Sequence, residues 1–154
     1  MSRAFVKELD GAEGDELPEL AISPHRNLVT AEGLASIDAN LRRLDAELSG
    51  ARATGDRAGA ARAERDLRYW SSRRASAEVV VPQQQAEVVR FGNRVELRTE
   101  SGATLHFRIV GEDESDPAAG LISWVSPLAE LLLGSAPGDE VPFRAGKAEV
   151  VAID

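Results

Sequence analysis

Cysteine is absent from these 154 residues, which removes disulfides and thiolate metal sites and suits a reducing cytoplasm. Histidine is nearly absent too, with only His25 and His106. Neither is placed in the sequence to make a hydrolytic triad with Ser123 or Ser126. No apolar run approaches the ~20 residues of a membrane span. The start, Met1-Ser-Arg-Ala-Phe5, lacks a signal-peptide core. A cytoplasmic protein with no membrane partner is therefore expected. A Gly-rich phosphate loop is also missing. Aromatic residues are only 5% of the chain, yet a hydrophobic fraction of 43% suffices for a core. The length suggests one domain or two small ones.

Positive charge is scarce as well. The net charge is -8, and it is unevenly spread. Residues 1–28 carry three basic and six acidic side chains, residues 81–154 carry six and twelve, and residues 29–80 carry nine arginines against eight acids. No part forms a basic platform, so direct sequence-specific contact with nucleic acid is not expected. An acidic body favours a basic or mixed protein surface as partner. A monomer is expected.

The chain then divides by composition. Residues 1–28 form an acidic, Gly- and Pro-rich extension, read as irregular, whose Pro18 to Val29 portion lies extended against the body. Thr30 is placed to cap a helix starting at Ala31, with Glu32 favourable in its first turn. Leu34, Ile37, Leu41, Leu44, Leu48 and Ala51 follow at spacings of three and four, a heptad seam. Thr54-Gly55-Asp56 interrupts it, and Ala60, Ala63, Leu67, Trp70, Arg74 and Ala77 resume it. Two such segments joined by a Gly turn predict an antiparallel coiled-coil hairpin over 29–80. In that register Arg74 is the misfit, its stem packing while its guanidinium reaches water. Residues 81–87 read as a linker, with Pro82 ending the second helix.

From 88 to 154 the pattern becomes short and alternating. Arg94 to Thr99 and Thr104 to Val110 read as strands about a turn at Glu100-Ser-Gly102. Glu112-Asp-Glu-Ser-Asp116 lacks calcium-loop spacing and reads as a solvated turn. Leu121 to Val125 reads as a buried strand. Ser126 then caps a short helix with Pro127 at its first position, and Leu128, Leu131 and Leu132 share one face. Two more strands, Val141-Pro-Phe143 and Ala148 to Ile153, turn at Ala145-Gly146. The fold class is α+β, a helical hairpin followed by a small antiparallel sheet domain with one helix.

Phe107-Arg-Ile-Val-Gly111, the acidic turn, Ile122-Ser-Trp-Val-Ser-Pro127, the Leu-rich helix and Gly138-Asp-Glu-Val141 stand in the order found in the GreA/GreB transcript-cleavage factors. The chain resembles that family over most of Val88 to Asp154, and more loosely upstream. The resemblance implies an FKBP-like domain at 88–154 that binds RNA polymerase, without prolyl isomerase activity. It also implies a hairpin that enters a channel of the polymerase. The docking corner it implies is Val125, Ser126 and Pro127, with Trp124 beside them; strand alternation lets only one of Trp124 and Val125 point outward.

In the cleavage factors two acidic residues at the hairpin tip help to hold magnesium in the polymerase active site, in a Gly-Asp-x-x-Glu-Asn pattern. Here the tip reads Gly55-Asp56-Arg57-Ala58-Gly59-Ala60, so Asp56 matches the first acid and Gly59 stands where the second would be. A hard octahedral cation gains little from one weakly held ligand. The arms are also about two turns shorter than in the cleavage factors, a tip shortfall of ~10 Å. In this the chain resembles the short-hairpin branch of the family, similar to the regulator of nucleoside diphosphate kinase. The expectation is a polymerase-binding modulator of elongation with no catalytic residue, metal or cofactor of its own. Two rivals are an active cleavage-stimulating factor using Asp56, and an interaction module for another protein.

Overall fold

A computed structural model describes residues 17–154. A two-residue strand β1 (Leu28–Val29) leads into helix α1 (Ala31–Thr54). Thr30 caps it as its sequence predicts, the hydroxyl accepting from the Gly33 amide at 3.0 Å. Helix α2 (Arg57–Ser76) runs back antiparallel. Ile37, Leu44 and Ala63 are buried between the arms, so the heptad register holds through the middle of the hairpin. It fails by one residue at the base. Arg73, not Arg74, turns inward with 2% of its side chain exposed, and Arg74 is exposed and pairs with Asp38 at 2.7 Å.

Two boundaries also differ from the sequence reading. Helix α2 ends at Ser76, six residues before Pro82. Asn27 causes the stop: its Nδ2 donates to Arg73 O and Ser76 Oγ, and its carbonyl accepts from Glu78 N. That diverts the chain into β2 (Glu78–Val79), which pairs in parallel with β1. The extension therefore ends in a regular element, and residues 78–79 belong to a ladder. The acidic stretch read as irregular lies mostly outside the described residues; Leu17 to Asn27 carries no helix or strand.

The remaining strands form one curled sheet in the order β5-β4-β3-β7-β6. These are β3 (Arg94–Thr99), β4 (Thr104–Val110), β5 (Leu121–Ser123), β6 (Glu140–Phe143) and β7 (Gly146–Ile153). Three of the ladders are antiparallel, as expected, but β4 and β5 run parallel. Two 3-10 turns, Glu112–Glu114 and Pro117–Ala119, carry the chain back between them. Helix α3 (Pro127–Leu132) packs on the sheet through Ala129 and Leu132. Leu131 points outward, contrary to the expected leucine face. Val95, Leu97, Ile109 and Val150 lie at the centre of this core. The turn into β7 falls at Arg144-Ala145, one residue earlier than read, and Arg144 adopts φ 53°.

Candidate functional site

Three places combine exposure or charge with defined geometry: the hairpin tip, the corner before α3, and the junction between hairpin and sheet.

At the tip, Gly55 takes a left-handed conformation (φ 72°) that closes α1. Asp56 then caps α2, its Oδ1 accepting from Gly59 N at 2.9 Å. Gly59 leaves room for this: a Cβ there would lie 2.2 Å from Asp56 Oδ2. The one acid of the tip is thus folded onto the helix start, satisfying an otherwise orphaned amide. Arg52 does not serve Asp56. It crosses to Glu64 at 2.8 Å, while Asp66 is held by Arg65. Arg57 is exposed. Among the described residues no three Asp, Glu or His side chains gather to hold a metal ion.

At the corner, Ser126 Oγ accepts from Ala129 N at 3.3 Å and Pro127 occupies the first turn of α3. Val125 N donates to Ser123 Oγ, so both Ser123 and Ser126 are occupied in shaping the turn. Trp124 and Val125 lie in that turn and not in the strand. The expected in-or-out alternation therefore does not apply, and both are half-buried. Trp124 packs against the sheet core, and its buried indole N–H has no partner among the described residues. The His25 and Trp124 rings stand nearly perpendicular, with their centroids 6.1 Å apart. Pro127 and Leu131 are exposed.

The junction is the part that sequence reasoning missed. Glu112, Asp113 and Glu114 do not form a solvated turn; each carboxylate reaches the base of the hairpin or the segment before it. Glu112 accepts from Ser23 Oγ at 2.9 Å. Asp113 accepts from Arg73 Nε at 2.5 Å and from the Tyr69 hydroxyl. Glu114 accepts from the Thr30 hydroxyl, from Thr30 N at 3.1 Å and from Gly111 N at 2.9 Å. In a local capping box a glutamate three residues into the helix binds the cap amide. Here that position is Gly33, and Glu114 does the task from 84 residues away. Its carboxyl group fills the space over Gly33, where a Cβ would lie 2.2 Å from its Cδ.

Arg73 completes the network by donating to Asn27 Oδ1 at 2.7 Å. Burial, and next the hydrogen bond to Asp113, push the Tyr69 hydroxyl up to about 12. A looser tie joins Arg108 of β4 to Glu32 of α1 at 3.4 Å. The Glu32 carboxyl is held below its usual range by its own backbone N–H and then by Arg108. Tyr69 and Arg73 lie four apart on one face of α2 and so reach Asp113 together, a pairing that the heptad register, with Arg74 inward, does not signal.

With this geometry in place, comparison with known proteins places the chain among relatives. The family profile described as "Transcription elongation factor, GreA/GreB, C-term" matches residues 83–154. Transcription elongation factor GreA of Desulfovibrio desulfuricans is 37% identical over 90 residues, 57% of this chain and 56% of that protein. That match spans little more than half of the relative's length. Transcription elongation factor GreA of Acidiphilium cryptum is 34% identical over 143 residues, 76% of this chain and 87% of its own. The solved structure of a GreA/GreB factor from Nitrosomonas europaea superposes with a TM-score of 0.39 at 24% identity, covering 82% of this chain and 98% of that one.

Proposed function

We propose, for a chain that belongs to the GreA/GreB family of transcription elongation factors, that it binds bacterial RNA polymerase at the secondary channel and modulates elongation without stimulating transcript cleavage. In this reading residues 88–154 dock, residues 29–80 project into the channel, and residues 81–87 join them. The observation that carries it is the state of the tip. Asp56 is the helix cap, Gly59 offers no second carboxylate, and the nearest acids are tied to arginines. A divalent ion at the end of the channel would meet one carboxylate, with Oδ1 already hydrogen-bonded to an amide, too little to add to its first shell. The protein acts by occupying the entrance, and has no catalytic residue, metal or cofactor of its own.

Docking falls to Val125, Ser126 and Pro127. Ser126 holds the backbone, and Pro127 offers a rigid apolar surface, with Trp124 packed on the sheet core just before them in the chain. The net acidic charge of residues 81–154, twelve acids against six basic residues, suits a partner with basic groups at its rim.

A transcript-cleavage assay on stalled elongation complexes tests this reading. The expected result is no stimulated cleavage, and slower cleavage when excess protein is added to a genuine cleavage factor. Stimulated cleavage that disappears in Asp56→Asn would instead establish an active cleavage factor. Absence of binding to purified polymerase would leave an interaction module for another protein.

A further inference from the structure

One turn of the sheet domain grips both arms of the hairpin. Glu114 takes α1 by its start, accepting from Thr30 N at 3.1 Å and from the Thr30 hydroxyl. Asp113 takes α2 near its end, accepting from Arg73 Nε at 2.5 Å and from the Tyr69 hydroxyl. Water has little access to either grip: Thr30 is buried, and the Arg73 and Asp113 side chains are 2% and 11% exposed. The turn is in turn set in its own domain. Gly111 N donates to Glu114 at 2.9 Å, and the Val110 carbonyl before it accepts from Trp124 N at 2.9 Å.

Two glycines let the parts come this close. At Gly33 of α1 a Cβ would lie 2.2 Å from Glu114 Cδ, and at Gly111 one would lie 2.4 Å from Leu28 O. Within a helix alanine is the better residue by propensity. What glycine provides at position 33 is therefore room for the carboxylate, not helix stability.

A rod held at one point can swing about it, but a pair of arms held at one point each cannot. Helix α1 has 24 residues, so at ~36 Å a swing of about 10° at its base would carry the tip by ~6 Å. Leu28 and Val80 seat the foot of the hairpin on the sheet core. They lie where the arms begin and end, and so leave the tilt of the arms to Asp113 and Glu114. The Arg108–Glu32 tie adds little, at 3.4 Å with the Glu32 side chain 69% exposed.

We infer that Asp113 and Glu114 are positioning residues that aim the hairpin: they set where the tip lies in the channel, and not how tightly the protein docks. This rests on the polymerase-binding reading above. The chain has no cysteine, so labels can be placed where wanted. Nitroxides on Ala58→Cys at the tip and Ala145→Cys in the turn between β6 and β7, both exposed, report their separation by double electron-electron resonance. The chain so labelled should give one narrow distance distribution. Glu114→Ala should broaden it. Gly33→Ala should do the same, because it drives the carboxylate off Thr30 while favouring the helix itself, and circular dichroism should show its helix content retained.

A benzophenone on Ala58→Cys then reports the tip in the complex with core RNA polymerase at saturation. Adding Gly33→Ala should lower the crosslinking yield about threefold, since yield follows proximity. Its affinity by biolayer interferometry should stay within about twofold. Unchanged distance distributions in both variants would overturn the inference and leave the polymerase reading standing. A loss of affinity that matches the loss of crosslink would do likewise, because the turn would then act on docking. Loss of helix in both variants would also overturn it, by showing a turn that only folds the hairpin. Failure of the unmodified chain to bind polymerase would overturn the reading and the inference together.

Discussion

At one end of the hairpin, Arg52 reaches across open solvent to Glu64, small residues such as Gly50, Gly59 and Ala63 face one another, and a single aspartate caps the return helix. At the other end, Arg73 is enclosed by Asp113, Asn27 and Glu112, and a glutamate from the sheet domain caps the outgoing helix. Both ends use charge, but only one has removed it from water. Exposed pairs contribute about 0–1 kcal/mol and are screened by salt. Breaking a buried pair strands a charge at several times that cost. The base therefore fixes the direction in which the arms project, whereas the tip can change residues with little effect on the fold.

The sharpest way to break this contrast is to remove the buried cation. Arg73→Met should lower stability by about 3–5 kcal/mol in urea unfolding, since Asp113 keeps its buried charge with only the Tyr69 hydroxyl and no cation beside it. Combining it with Asp113→Asn should recover part of the loss. An effect under about 1 kcal/mol would place the base in the same class as the tip. Next in size, Glu114→Ala removes the acceptor for two amides and a hydroxyl and should cost about 1–3 kcal/mol. The same change at Glu64, whose side chain is 43% exposed, should cost under about 1 kcal/mol.

Alkaline pH sharpens the comparison further. Tyr69 titrates in the folded state at about 12, above its ordinary value of 10.0. Its contribution is fully present below pH 10 and is lost as pH rises through the folded value. Tyr69→Phe should be about 1 kcal/mol less stable at pH 8, with the gap to the unmodified protein narrowing between pH 10 and 12. Equilibrium unfolding at a series of pH values measures this. The smallest effects belong to the tip. Asp56→Ala should cost about 1 kcal/mol through the lost cap, whereas Asp56→Asn, itself a good cap, should change stability by under about 0.5 kcal/mol.

What was legible from sequence follows the range of the forces involved. Thr30 and Ser126 act within three residues, so their capping could be read directly. The seam through Ile37 and Leu44 repeats against a neighbouring arm with the same period. Arg73 defeated that extrapolation because its partner at the base is a loop 40 positions away, not α1. The acidic turn was misread for the same reason, since nothing within Glu112–Glu114 shows that Thr30, Tyr69 and Ser23 will meet it. The parallel step from β4 to β5 also depends on a crossover whose two 3-10 turns carry no strong local signal. At the corner the cap was readable, but the outward turn of Leu131 was not, because six helical residues give too few periods to fix a face.

The small ladder joining Leu28–Val29 to Glu78–Val79 has a consequence for how such a protein can evolve. Because those strands are paired, the points where the chain departs for the hairpin and returns from it lie side by side, on one platform. Everything between them is a closed excursion whose length the rest of the molecule does not sense. Seven residues inserted in each arm would move the tip outward by ~10 Å and preserve the heptad register. The platform, the sheet and the corner would stay as they are. Reach and attachment are thus separate inheritances, and a lineage can lengthen, shorten or blunt the probe while keeping the same anchorage.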